Sequence, residues 1–208
     1  MGDATTMTKD LKKRLYAFAM FDGCLIKQSN KTNASLIVKM LQDNEDYIDK
    51  VITALEEVPV GYKKTMSAIN DKEDYKHKQQ TRLQSYSHPV FTKIRNRIYI
   101  EGRKVVDPHM LTLMDEEMLA IMLMTSGSRT MDKRRVNACS TYRLHLNNLS
   151  YGDLMLIKTC IKKVFNMETN IRKKGLKYDL VIPTFHSCLF EEIVSPFILP
   201  SFQYKVGR

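Results

Sequence analysis

Leu15–Gly23 reads LYAFAMFDG, and Leu119–Gly127 reads LAIMLMTSG. Both stretches are apolar nearly from end to end. Both stop at a glycine, a residue that commonly closes a helix. Neither leaves a broad polar stripe, so each is expected to be a helix buried on most sides. They start 104 residues apart (119 − 15) in a chain of 208. One such helix at the same place in each half points to two copies of a single unit.

The surroundings of each helix repeat as well. The first helix is expected over Leu11–Asp22, followed by strands near Cys24–Gln28 and Ser35–Leu41. Asn44 is placed to cap a helix to about Val58, with Tyr47, Val51 and Leu55 on one face. Strands near Tyr62–Ile69 and Thr81–Tyr86 follow, split by the charged stretch DKEDYKHKQQ, and a helix over Pro89–Tyr99 ends the half. In the second half Asp115 caps a helix through Ser126. Strands near Thr130–Ala138 and Thr141–Asn147 come next, then a helix over Tyr151–Phe165 capped by Ser150. Strands near Glu168–Lys173 and Lys177–Ile182 lead to a last helix over Thr184–Val194. Each half therefore reads αββαββα, an α+β fold of two pseudo-symmetric repeats. Residues 1–10 form a tail, 11–107 the first repeat and 108–208 the second.

Composition narrows the function. The apolar fraction of 43% suffices for a core. The net charge of +10, from 33 basic and 23 acidic residues, attracts polyanions, either nucleic acid or an anionic membrane. No apolar run reaches membrane-spanning length, so an integral membrane protein is not expected, and the partner is expected to be nucleic acid and not a membrane. Cys24, Cys139, Cys160 and Cys188 form no CxxC pair. They are read as reduced, buried thiols of an intracellular protein rather than zinc ligands.

The two nonapeptides resemble the paired motifs of the LAGLIDADG homing endonucleases, in the single-chain, two-repeat form. Asp22-Gly23 matches the acid and glycine that end the first motif. The flanks are similar too: SHPVFTKIRNRIYIEGRKVVDPHML, TYRLHLNNLSYGDLMLIKTCIKKVFNMETNI and IVSPFILPSFQYK. The resemblance covers nearly the whole chain from Leu11. It implies that the motif helices pack side by side where the halves meet, with Ala17, Ala19 and Ala120 allowing close approach. It also implies that the antiparallel sheets form a saddle along the major groove of duplex DNA.

In that family each motif helix ends in a carboxylate that holds a divalent ion. The ion lowers the pKa of a water and steadies the leaving oxygen. Asp22 fills the first position as catalytic and metal-binding residue. Ser126 stands at the second, preceded by Thr125. A neutral hydroxyl is a poor ligand for Mg²⁺, which wants carboxylate oxygens. Asp115, Glu116 and Glu117 lie at the other end of that helix, roughly 15 Å away at about 1.5 Å per residue. Cleavage is therefore expected to be impaired, or reduced to nicking, with Mg²⁺ required only if activity remains. The resemblance also carries a basic residue near each site over to Lys104 and Lys205.

Strand alternation supplies candidate recognition residues. Thr141, Arg143, His145 and Asn147 alternate with Tyr142, Leu144 and Leu146, and Arg82 and Gln84 flank Leu83. Lys27, Lys64, Lys173 and Lys177 complete the set, and Lys133–Arg135 reads as a hairpin tip near the backbone. Arg and Gln read base edges bidentately, whereas Lys holds phosphates. For any one residue a solvated strand face is an equally good reading. The expected function is duplex-DNA binding by an impaired endonuclease, the protein being monomeric by itself. The alternative is a domesticated RNA-binding protein: an intron maturase, or a structural subunit of an organellar ribosome or other ribonucleoprotein with further protein partners. A mitochondrial home is suspected without a targeting peptide, because Asp3 and Asp10 do not suit a presequence and an organelle-encoded chain needs none.

Overall fold

The structure is a computed structural model and describes residues 7–67, 79–131 and 140–207. The chain divides into two compact units, residues 1–96 and 97–208. Among the described residues, no helix is long and apolar enough to cross a membrane. The expected hairpin tip at Lys133–Arg135, Cys139 and most of the charged stretch after Ile69 lie outside the described residues.

In the first unit, α1 (Lys9–Ala17) is capped by Thr8, whose hydroxyl accepts from Leu11 N at 3.2 Å. The motif does not stay α-helical to its end, as the sequence led us to expect. Phe18–Asp22 forms a π-helical turn, closed by Gly23 N donating to Phe18 O at 2.7 Å, a five-residue step. Then follow β1 (Cys24–Ile26), β2 (Ser35–Leu41), α2 (Glu45–Glu56), β3 (Tyr62–Met66), β4 (Gln80–Ser85) and α3 (Pro89–Ile98). Asn44 does precede α2, but its side chain makes no capping bond.

The second unit begins with a short hairpin that the sequence reading passed over, β5 (Tyr99–Ile100) and β6 (Arg103–Lys104). Its two-residue turn, Glu101-Gly102, has φ of 50° and 77°. Two left-handed residues suit a tight hairpin, and glycine adopts that conformation without strain. A short α4 (Pro108–Leu111) leads to α5 (Glu116–Ser126). The rest is β7 (Gly127–Met131), β8 (Ser140–Leu144), α6 (Tyr151–Phe165), β9 (Asn170–Lys174), β10 (Lys177–Ile182) and α7 (Ser187–Val194). The expected caps are present: Asp115 accepts from Met118 N at 3.0 Å and Ser150 from Asp153 N at 3.1 Å. Strand β8 stops at Leu144, so Asn147 sits in the following turn rather than on the strand.

The two sheets share one topology. The first runs β1-β2-β4-β3 and the second β7-β8-β10-β9, antiparallel throughout. Each sheet carries helices on one face. Helix α2 packs on β2 and β4 in the first unit; α6 packs on β9 and β10, and α7 on β8, in the second. Every residue of α5 from Met118 to Met124 is at most 1% exposed, matching its lack of a polar stripe. Leu15–Met20 are likewise buried. Each such side chain contributes roughly 1.5–3 kcal/mol by leaving water. The cysteines depart from expectation: Cys24 and Cys160 are only half-buried and Cys188 is exposed, all as free thiols.

Candidate nucleic-acid interface and the two motif ends

Strand register decides which side chains share the face opposite the helices. In the first sheet, Lys39, Arg82 and Thr65 lie in one row across β2, β4 and β3, and Ile37, Gln84 and Lys63 in the next. Leu83 and Val38 mark the helix-bearing face, with Lys64 in register beside Leu83. Lys64 accordingly pairs with Glu45 in the first turn of α2, and that carboxylate raises its pKa. Arg82 and Gln84 thus share the open face, where Arg82 Nη2 donates to Gln84 Oε1 at 3.0 Å. Lys27 is exposed just beyond β1. Lys39 and Lys63 escaped the sequence reading; the alternation within SLIVKML and GYKKT carried the signal.

The second sheet is built the same way. Ser128, Arg143, Val181 and Asn170 form one row, and His145, Asp179 and Arg172 the next. Arg143 and His145 are half-buried and share this face. Lys177 is opposite Lys174 on that face, whereas Lys173 is opposite Tyr178, which stacks on Tyr151 of α6. Lys173 therefore belongs to the helix-bearing side. Arg172, Asn170 and Ser128 join the face without having been singled out. Asn147 lies instead with Lys104 in a cleft of about 470 Å³, which Arg103, Asn148 and Ser150 also line.

The motif ends differ between units. Asp22 is the last residue of the π turn and half-buried. Tyr47 of α2 lies behind it, its ring edge-on to Phe18 at 5.8 Å. Complete burial, and then the Asp22 charge, push the Tyr47 phenol well above its ordinary pKa, so it stays protonated.

Helix α5 ends as an ordinary α-helix. Gly127 N donates to Leu123 O, a four-residue step, and Thr125 Oγ1 donates back to Ile121 O at 2.8 Å. Lys205 reaches this end from the C-terminal segment. Its Nζ donates to Leu123 O at 3.3 Å and Met124 O at 2.6 Å, and sits 5.5 Å from the centre of the Phe202 ring. Burial pushes the Lys205 ammonium down to about 8, against the pull of the helix's C-terminal carbonyls. A hard divalent ion is held by oxygen ligands, typically one or two carboxylates with carbonyls and waters. The α5 end offers hydroxyls and two carbonyls already bound to an ammonium, so it does not fit such an ion. Among the described residues, no group of three or more His, Cys, Asp or Glu gathers to hold a metal.

The paired motif helices, the matching sheets and the 104-residue period (119 − 15) agree with comparison to known sequences. The sequence pattern of the LAGLIDADG DNA endonuclease family matches residues 19–189. The chain belongs to that family. Among LAGLIDADG relatives it is 22% identical to Probable intron-encoded endonuclease 1 of Wickerhamomyces canadensis, over 97% of this chain and 86% of that protein. It is 18% identical to the cytochrome b mRNA maturase bI2 of Debaryomyces hansenii, over 97% of this chain and 75% of that one. The homing endonuclease I-WcaI, solved bound to its DNA recognition sequence, shares the fold with a TM-score of 0.81. The identity there is 21%, covering 98% of this chain and 88% of that one. The two-repeat α+β architecture is thus that of the LAGLIDADG endonucleases.

Proposed function

We propose that this LAGLIDADG protein binds duplex DNA and has lost coordinated cutting of both strands. The observation that carries the second half is the contrast between Asp22 at one motif end and Ser126 with Lys205 at the other. A carboxylate concentrates cations at the first end. At the second, an ammonium already serves the helix carbonyls and the motif position holds a serine. Lys205 there stabilises the end of α5 and adds positive charge toward a phosphate, a role compatible with binding alone.

DNA contact falls to the open sheet faces. Arg82, Gln84 and Arg143 read base edges, while Lys39, Lys63, Arg172 and Lys177 hold phosphates. Lys104, with Arg103 and Asn147 around their cleft, adds a further phosphate contact. Lys64 and Lys173 contribute little, because register turns them toward the helices. Membership of a DNA endonuclease family and the charge of +10 support the reading.

The maturase relative favours a second reading, in which the same basic faces grip structured RNA by shape and phosphate contacts. Binding the purified protein to a randomised duplex library, in competition with structured RNA, separates the two. The proposal expects one enriched duplex sequence and weak RNA competition. Enrichment of no duplex, with stoichiometric RNA retained, contradicts it.

A further inference from the structure

Three side chains on the open face of the second sheet form a chain of hydrogen bonds. Ser128 Oγ lies 2.8 Å from His145 Nε2, and His145 Nδ1 lies 3.0 Å from Asp179 Oδ1. They come from β7, the residue after β8, and β10. We propose that the Asp179–His145 pair locks Ser128 as a hydrogen-bond acceptor, and that Ser128 thereby selects an exocyclic amino group, adenine N6 or cytosine N4, on the bound duplex. This rests on the DNA-binding reading above and names what one part of that face recognises.

The roles follow from donor and acceptor chemistry. An ionised carboxylate only accepts, so His145 Nδ1 carries the proton toward Asp179. In neutral imidazole the other nitrogen is then a bare acceptor. Ser128 must donate to it, which spends the only proton of the hydroxyl. What Ser128 still offers is lone pairs. An unrestrained serine can either donate or accept and so discriminates poorly between bases; a serine held this way only accepts.

Two surroundings support a recognition role over simple packing. Asp179 is 4% exposed, and burying a carboxylate is costly unless it is paired. A buried carboxylate on this face needs hydrogen-bond donors, and His145 Nδ1 supplies one. Arg143 is in register opposite Ser128, and its Nε is buried with no hydrogen-bond partner among the described residues. A donor-rich side chain thus sits beside an acceptor at cross-strand spacing, about 5 Å. Adjacent donor and acceptor groups are what a major-groove base edge presents in complement.

The test is sequence selection from a randomised duplex library by the wild type, Ser128→Ala and Asp179→Asn, each checked for an unchanged unfolding midpoint. The wild type should enrich adenine or cytosine at one position, and which of the two appears identifies the amine. Ser128→Ala should lose that preference by roughly tenfold while the other positions keep theirs. In Asp179→Asn the new amide can donate to Nδ1, which reverses the chain and frees the Ser128 proton. Its preference should move toward thymine or guanine, whose major-groove oxygens accept. An unaltered preference in Ser128→Ala, or an equal loss at every position, overturns the proposal. A wild type that enriches no sequence overturns the DNA-binding reading itself, and this proposal with it.

Discussion

The two motif helices start from similar apolar sequences and finish with different chemistry. Helix α1 widens into a π turn, so Gly23 N reaches back five residues and Asp22 stands in front of Tyr47. Helix α5 keeps four-residue closure through Gly127, and Lys205 caps its carbonyls beside Ser126. Inserted π turns often mark functional positions. The irregular end carries an acid, and the regular end carries the hydroxyls of Thr125 and Ser126. Packing and chemistry are therefore separable: both helices are buried and closed by glycine, while only the first ends in a carboxylate.

Restoring an acid at the end of α5 should change cleavage of the second strand most. A carboxylate-held ion supplies several kcal/mol of transition-state stabilisation, or about a thousandfold in rate. Ser126→Asp should raise Mg²⁺-dependent cutting of the strand served by the α5 end by about that factor, read on an end-labelled target. No gain would mean that more than this one acid has been lost.

The shared glycines give the next effect. A Cβ at Gly23 would lie 2.6 Å from Ile37 O, and one at Gly127 2.5 Å from Leu123 O. These are backbone collisions, so Gly23→Ala and Gly127→Ala should each cost about 1–3 kcal/mol in urea unfolding. A neutral result at either position would break the symmetry between the two glycines.

Lys205 sharpens the contrast through pH. Its folded pKa is near 8 and its ordinary value is 10.5, so the shift is downward. Below 8 both folded and unfolded chains hold the proton, and between 8 and 10.5 mainly the unfolded chain does. Stability should therefore rise with pH across that window, and Lys205→Met should lack this rise. A wild-type profile flat or falling there contradicts the burial argument.

The smallest effect separates the sheet faces. Lys64→Ala removes an exposed ion pair with Glu45, costing less than about 1 kcal/mol of stability and leaving duplex affinity unchanged. Arg82→Ala should weaken duplex binding about tenfold at equal stability, as loss of a charged hydrogen bond would. Equal losses of affinity would show that register does not sort these residues.

Much of this was legible because the decisive signals are local. Asp115 and Ser150 cap where their side chains predict, and alternation around Leu83 and Leu144 gave the correct faces for Arg82 and Arg143. The π turn was not legible, since one residue of extra width leaves no mark in an apolar run. Lys64 and Lys173 were misleading because their faces depend on pairing with Leu83 and Tyr178 on other strands. Ser128 and Asp179 were invisible for the same reason: 51 residues (179 − 128) separate two groups that meet only through His145.

The most direct test of the account is a strand-resolved cleavage time course on the selected duplex, with wild type and Asp22→Asn in Mg²⁺. The account predicts no double-strand product, and at most a nick in one strand that disappears in Asp22→Asn. Cutting of both strands at comparable rates by the wild type would contradict it.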